Sequence, residues 1–130
     1  MARVGTGRDR PIHLFVYGTL LPGEVRWPLL EPYVVGARIP DAVAGTLYDT
    51  GLDYPAAIFG GEGTIVGSTF AIAEDVLEDC LAHLDEIEGA VGGLYSRVVV
   101  VTSRGTVAWS YQYGGGLSLR PIPSGSWTDR

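Results

Sequence analysis

Glu74-Asp-Val-Leu-Glu-Asp-Cys-Leu-Ala-His-Leu-Asp-Glu-Ile-Glu-Gly89 is the stretch of this sequence whose reading decides the fold. Leu77, Leu81 and Leu84 follow the three- and four-residue spacing that puts side chains on one face of a helix, with Val76, Cys80 and Ile87 beside them. Glu74 and Asp75 bring negative charge to the first turn, where the helix dipole favours it, and Gly89 offers a stop. The spacing predicts one amphipathic helix over about 74–88, with an apolar face that needs a partner.

The remaining apolar residues supply that partner as strands. His13-Leu-Phe-Val-Tyr-Gly-Thr19 is a short run rich in β-formers that Gly18 turns, and further strands are predicted at 43–48, 56–59, 64–72, 95–102 and 106–113. Ser103-Arg104-Gly105 is long enough for a hairpin and too short for a helical crossover, so its flanking strands pair antiparallel. Between Leu20 and Asp41 the prolines at 22, 28, 32 and 40 exclude a long helix, and loop with short turns is expected. Residues 1–11 are rich in Gly and Arg without an apolar period and read as a disordered arm, leaving 12–130 as a single domain. Short strands and one helix suggest an α+β fold: a compact, partly closed sheet or small barrel with the helix as a plug. On that view Leu77, Leu81 and Leu84 face a curved sheet, with Phe15 and Val98 or Val100 across the same core.

Composition narrows the partners. Fifteen acidic residues against nine basic ones give a net charge of −6, and every basic residue is an arginine, spread from Arg3 to Arg130 without a run. A face for nucleic acid needs concentrated positive charge, so that partner is excluded. The lack of lysine removes Schiff-base chemistry and the phosphate-binding loop ending in Gly-Lys-Ser/Thr. The single cysteine, Cys80, has no internal disulfide partner, and with no cationic apolar leader a cytoplasmic protein is expected. The apolar stretches fall short of the roughly 20 residues that span a bilayer, so no membrane segment is expected.

Glu88 breaks the helix pattern. Extending the stripe of 77, 81 and 84 by four residues reaches position 88, which puts a carboxylate where the next buried side chain belongs. Burial and the negative end of the dipole both raise its proton affinity, which suits a group that must accept and then return a proton near neutral pH. The alternative is a helix that frays one turn earlier, leaving Asp85, Glu86 and Glu88 as a solvated acidic cluster. The turn Tyr17-Gly18-Thr19-Leu20 is the second candidate. Glycine at a strand end lets successive backbone N–H groups converge on one concavity, which holds a carboxylate without a cationic side chain, with a nearby arginine in support. The alternative there is an ordinary strand-ending turn.

Other chemistries find little footing. His13 and His83 have no Cys or His cluster about them, which argues against a metal site. No Gly-x-Ser-x-Gly surrounds any serine, and Cys80 on an apolar helical face reads as packing.

Taken in order, Phe15-Val-Tyr-Gly-Thr-Leu20 with Pro22-Gly23, Gly45-Thr-Leu-Tyr48, Tyr54-Pro55-Ala56, Val66-Gly67, Leu84-Asp-Glu-Ile-Glu-Gly89, Tyr95-Ser-Arg97 and Trp109-Ser-Tyr-Gln-Tyr113 resemble the γ-glutamylcyclotransferase-like (AIG2-like) superfamily over residues 13–127. The resemblance implies a small mixed β-barrel flanked by helices, with Tyr17 to Leu20 lining a cavity and Glu88, not Glu86, as catalytic acid/base. It implies release of 5-oxoproline from a γ-glutamyl amide or amine, without metal or cofactor, in metabolite repair or in removing a γ-glutamyl protecting group during biosynthesis. Glu88 would free the substrate's α-amine to attack its own γ-carbonyl and then protonate the departing amine. The N–H groups of Gly18, Thr19 and Leu20 would hold the α-carboxylate or the γ-carbonyl oxygen. Tyr17 and Tyr95 either border the pocket and offer hydroxyls or serve as amphipathic packing, and Tyr54-Pro55 forms a wall stiffened by the proline. Arg97 either pairs with a carboxylate near the site or lies on the solvated face of its strand. Leaving-group preference is expected to reside in loops 21–40 and 89–93, with Gly92-Gly93 and Gly114-Gly115-Gly116 allowing motion. The segment Pro121 to Trp127 is expected to close over the core. The sequence sets no oligomeric state. A non-catalytic member of the same fold, binding a small anionic metabolite or supporting an assembly, is the competing function.

Overall fold

A computed structural model of the chain describes residues 11–90 and 94–130. The predicted arm falls on 1–11, so all of it but Pro11 lies outside the described residues, as does the Gly92-Gly93 pair. Six strands form one sheet: β1 (His13–Val16), β2 (Val34–Asp49), β3 (Pro55–Ile72), β4 (Leu94–Val101), β5 (Val107–Gly115) and β6 (Arg120–Pro121). Their order is β4-β5-β1-β3-β2-β6, antiparallel throughout except for the parallel contact of β1 with β5. The sheet curls into a half-barrel flanked by two helices, the short α1 (Trp27–Leu30) and the long α2 (Leu77–Ala90). This is the α+β, partly closed barrel that the sequence predicts.

Three boundaries differ from expectation. The first half of β2 lies in the stretch expected to be loop: Val34 pairs with Ile72, Ile39 with Thr69 and Asp41 with Gly67. Exposed side chains, Gly36 and Pro40 conceal this strand from a search for apolar alternation. The predicted strands at 56–59 and 64–72 belong to one element, β3, yet the break between them is real in the ladder. Ala44 faces Thr64 and the next residue, Gly45, faces Phe59, so 60–63 stand outside the pairing. Gly89 does not end α2, which continues to Ala90 after beginning as a 3₁₀ turn at Glu74–Val76.

The core is double where one was expected. Leu14 and Val16 face Phe70, Ile72 and the α2 residues Leu77, Cys80, Leu81 and Leu84. Phe15 and Tyr17 point the other way, to Val43, Leu47, Ile65 and Val100 inside the curl, with Val98 packed against them. Phe15, Val98 and Val100 therefore do not face the leucines. The period of two along β1 sends its side chains alternately to two apolar clusters, and burial on both faces makes the strand read as an unbroken apolar run. Ile122 and Trp127 close the second cluster, as expected of the C-terminal segment. There the Ile122 N–H donates to the Leu47 carbonyl at 2.8 Å and the Val66 N–H to that of Gly125 at 2.8 Å.

Candidate active site

β1 carries the chain into the turn at Tyr17–Leu20. The Leu21 N–H donates to the Gly18 carbonyl at 3.0 Å and the Arg26 N–H to the Thr19 carbonyl at 2.8 Å. These bonds occupy the turn's carbonyls; among the described residues, none of the turn bonds uses the N–H of Gly18, Thr19 or Leu20. Glycine is required at 18 for space rather than for backbone freedom. Its φ is not in the left-handed region, but a Cβ there would sit 2.5 Å from Pro55 Cγ and 2.8 Å from Pro55 Cδ.

Pro55 opens β3 after a tight connection. The Thr50 hydroxyl donates to the Tyr54 carbonyl at 2.8 Å, the Gly51 N–H donates to Asp49 Oδ1 at 2.7 Å, and Asp53 adopts φ 70°. Aspartate tolerates that conformation better than most residues. The connection sets Tyr54 and Pro55 against the Gly18 turn.

Glu88 approaches from the last turn of α2. It is half-buried, while Asp85 and Glu86 on the same helix are exposed. The stripe of 77, 81 and 84 does continue to 88, and the helix does not fray before it. Burial pushes the Glu88 carboxyl up to about 7; the Arg26 guanidinium pulls it down and the Asp85 charge pushes it further up.

These elements enclose a cleft of about 410 Å³ of empty space, part of it open to solvent. Glu88, the whole Tyr17–Leu20 turn, Tyr54 and Pro55 line it. Tyr95 does not. It stands behind the wall, its hydroxyl donating to the Pro55 carbonyl at 3.2 Å and its ring edge-on to Tyr54 and Tyr113. The Tyr17 hydroxyl donates to the Tyr111 carbonyl at 2.7 Å. Both hydroxyl hydrogens are thus engaged by main-chain carbonyls instead of facing the cleft. Burial, and after it the charge of Glu88, raises the Tyr17 hydroxyl well above its ordinary value.

Two polar lining residues carry no sequence signal of the site, beside the apolar Phe15 and Val16 at the end of β1. Arg26 borders the cleft at the start of α1, its guanidinium 5.9 Å from the centre of the Tyr54 ring. A lone arginine in a proline-rich stretch carries no pattern to mark it, although an arginine near the turn was expected. Tyr111 joins from β5, and its hydroxyl donates to Asp85 Oδ1 at 2.6 Å. Arg97 pairs with a carboxylate rather than lying free on its strand, its Nε and Nη2 meeting Asp85 at 3.0 and 3.2 Å. Among the described residues no group of three or more His, Cys, Asp or Glu is placed to hold a metal ion, and no helix is long and apolar enough to cross a membrane.

Comparison with known proteins fits this geometry. The sequence profile of the family described as gamma-glutamyl cyclotransferase, AIG2-like, matches residues 14–129. The γ-glutamylcyclotransferase family protein YtfP of Escherichia coli K12 is 34% identical over 122 residues, covering 92% of this chain and 98% of that protein. The gamma-L-glutamyl-butirosin B gamma-glutamyl cyclotransferase of Niallia circulans is 31% identical over 115 residues, 82% of this chain and 70% of that one. An uncharacterised protein of Pyrococcus horikoshii shares the fold, with a TM-score of 0.68 at 24% identity and 89% of each chain covered. The chain belongs to the AIG2-like γ-glutamyl cyclotransferase family.

Proposed function

We propose that the protein is a cyclotransferase that releases 5-oxoproline from a γ-glutamyl amine or amide, with Glu88 as general acid and base. The observation that carries this is a carboxyl group with a proton affinity near 7 in the same cleft as a turn whose N–H groups make no turn bonds. An ionised Glu88 takes a proton from the substrate's α-ammonium and frees the nitrogen to attack the γ-carbonyl carbon. A five-membered ring closes as the new C–N bond forms. The old C–N bond then breaks, with Glu88 returning a proton to the departing nitrogen. The attacking nitrogen gives up a second proton as the ring closes, which the freed Glu88 carboxylate passes to the departing amine, so the α-nitrogen ends as the lactam N–H, the other nitrogen leaves as an ammonium, and neither water nor a cofactor is consumed. Holding amine and carbonyl of one molecule together supplies the entropic part of the acceleration.

The N–H groups of Gly18, Thr19 and Leu20 serve the substrate's α-carboxylate or its γ-carbonyl oxygen as charge grows there, with Arg26 as the cation that draws an anion into an acidic protein. Tyr54 and Pro55 wall the ring side. The relative from Niallia circulans, whose name gives γ-L-glutamyl-butirosin B as what it acts on, makes γ-glutamyl conjugates of that kind part of the substrate range to test. A panel of γ-glutamyl amines and amides, assayed for 5-oxoproline with purified protein, tests the proposal. Turnover of at least one member is expected. Tight binding of 5-oxoproline with no turnover across the panel would favour a binding protein on this fold.

A further inference from the structure

Asp85 has no place in the proposed chemistry, yet it is the most heavily engaged carboxylate near the site. The Tyr111 hydroxyl donates to Oδ1 at 2.6 Å, while Arg97 reaches both oxygens at 3.0 and 3.2 Å and lays its guanidinium 4.6 Å from the centre of the Trp109 ring. Tyr111 is a node in its own right, because its carbonyl accepts the Tyr17 hydroxyl at 2.7 Å. A continuous chain of bonds therefore runs from the residue before Gly18, through Tyr111 on β5, to the helix turn that carries Glu88. The Asp85 side chain is 44% exposed, and ion pairs of that exposure contribute only about 0–1 kcal/mol to stability. Stability is a weak reason for three donors to converge there.

We propose that Asp85 is a positioning residue: clamped by Tyr111 and Arg97, it fixes the last turn of α2 against the Tyr17–Leu20 turn and keeps a partly neutralised negative charge beside Glu88. Residues three apart on a helix have Cβ atoms about 5–6 Å apart, so the Asp85 charge acts directly on Glu88. Among the described residues, the charged and titratable groups around Glu88 are Tyr17 and Arg26 from the first turn and the segment after it, Tyr54 from the connection before β3, Tyr95 and Arg97 from β4, Tyr111 from β5, and Asp85 from its own helix. Of these, Asp85 and Arg97 can be changed without touching the cleft lining.

The inference rests on Glu88 being the reacting acid/base, so its test reads Glu88 both with and without turnover. The carboxyl carbon of Glu88, followed by NMR against pH, is expected to titrate at lower pH in Asp85→Asn, where a negative neighbour is lost. It is expected to titrate at higher pH in Arg97→Gln, where Asp85 loses its neutralising partner. The acid limb of kcat/KM should move the same two ways. Tyr111→Phe, which keeps the ring and the carbonyl, is expected to lower kcat about tenfold with KM held, because it frees the helix turn by a fraction of an ångström. Glu86→Gln should move none of these. Glu88 midpoints that stay put, or move the same way in both variants, would overturn the proposal. Opposed NMR shifts in a protein that turns over nothing would sustain the tuning of Glu88 and overturn the cyclotransferase reading instead.

Discussion

Two carboxylates in this molecule sit in enclosed places and hold their protons oppositely. Asp41 is buried on β2 where the sheet meets the 102–106 turn, and Glu88 is half-buried at the end of α2. Burial works to raise both. At Asp41 it is outweighed by donors: the Thr102 side chain, the Ala42 N–H at 2.9 Å, the Thr69 hydroxyl at 3.0 Å and the Arg104 N–H at 3.3 Å, so the carboxyl lies below its ordinary value. Glu88 has an arginine in the same cleft but, among the described residues, no hydrogen-bond donor. The difference teaches that enclosure alone does not fix a carboxyl's proton affinity. Enclosure without donors raises it at Glu88, whereas donors supplied in full lower it at Asp41, where the carboxylate holds strands together.

The contrast breaks most sharply at Glu88 itself. Glu88→Gln is expected to lower kcat by about 10² to 10⁴, on the order of 3–5 kcal/mol of barrier, while Glu86→Gln leaves it near wild type. In the wild type kcat/KM should climb through pH about 7, because the base must be ionised to act. A Glu88→Gln variant as fast as wild type on a confirmed substrate sinks the mechanism.

Asp41→Asn comes next. It turns an acceptor toward donors and is expected to destabilise the fold by about 2–3 kcal/mol in urea at pH 7, with activity per folded molecule retained. Because the folded carboxyl is held low, its contribution is present above the unfolded value and is lost as pH falls through the folded one. The gap between variant and wild type should therefore close in acid. An undiminished gap at low pH would mean that packing, not charge, set the effect.

Glu88→Gln should act on stability in the opposite direction. The ordinary value is 4.5 and the folded value about 7, so the protonated form favours folding and that contribution is lost as pH rises through about 7. The variant is expected to be more stable than wild type by on the order of 1–2 kcal/mol at pH 8 and equal to it near pH 4. Thermal unfolding at both pH values decides this. The smallest effect is Thr69→Val, which removes one of the donors to Asp41 and should cost about 1 kcal/mol. No loss at all would show that the remaining donors suffice.

Much of this was legible in the residues because the signals were local. Three leucines fixed the face of α2, and adding one more helical step singled out Glu88 over Glu86. Gly18 marked the turn, though its reason is the closeness of Pro55 rather than freedom of φ. What could not be read depends on pairings distant in the chain. Nothing near Tyr111 announces that its carbonyl will meet Tyr17, 94 residues away. The second core was hidden for the same reason, since only the sheet order reveals that β1 is central and buried on both faces. Arg26 needed the turn's hydrogen bonds to place it, and the first half of β2 needed its partner strand.

The parallel contact of β1 with β5 also has a consequence in time. His13 lies beside Ala108, the Ser110 hydroxyl donates to the Phe15 carbonyl across 95 residues, and the Trp109 indole N–H donates to that of Pro11 across 98. Contacts so distant along the chain close late, because the loop entropy between them must be overcome before they return any stability, and chains dominated by them fold slowly. The long β2–β3 hairpin and α2 can form from neighbouring residues as soon as those exist. The cleft cannot, since one of its walls is Tyr111. A chain interrupted before β5 would own Glu88 and the Gly18 turn and still lack one wall of the cleft, so the cleft is complete only once β5 has docked beside β1.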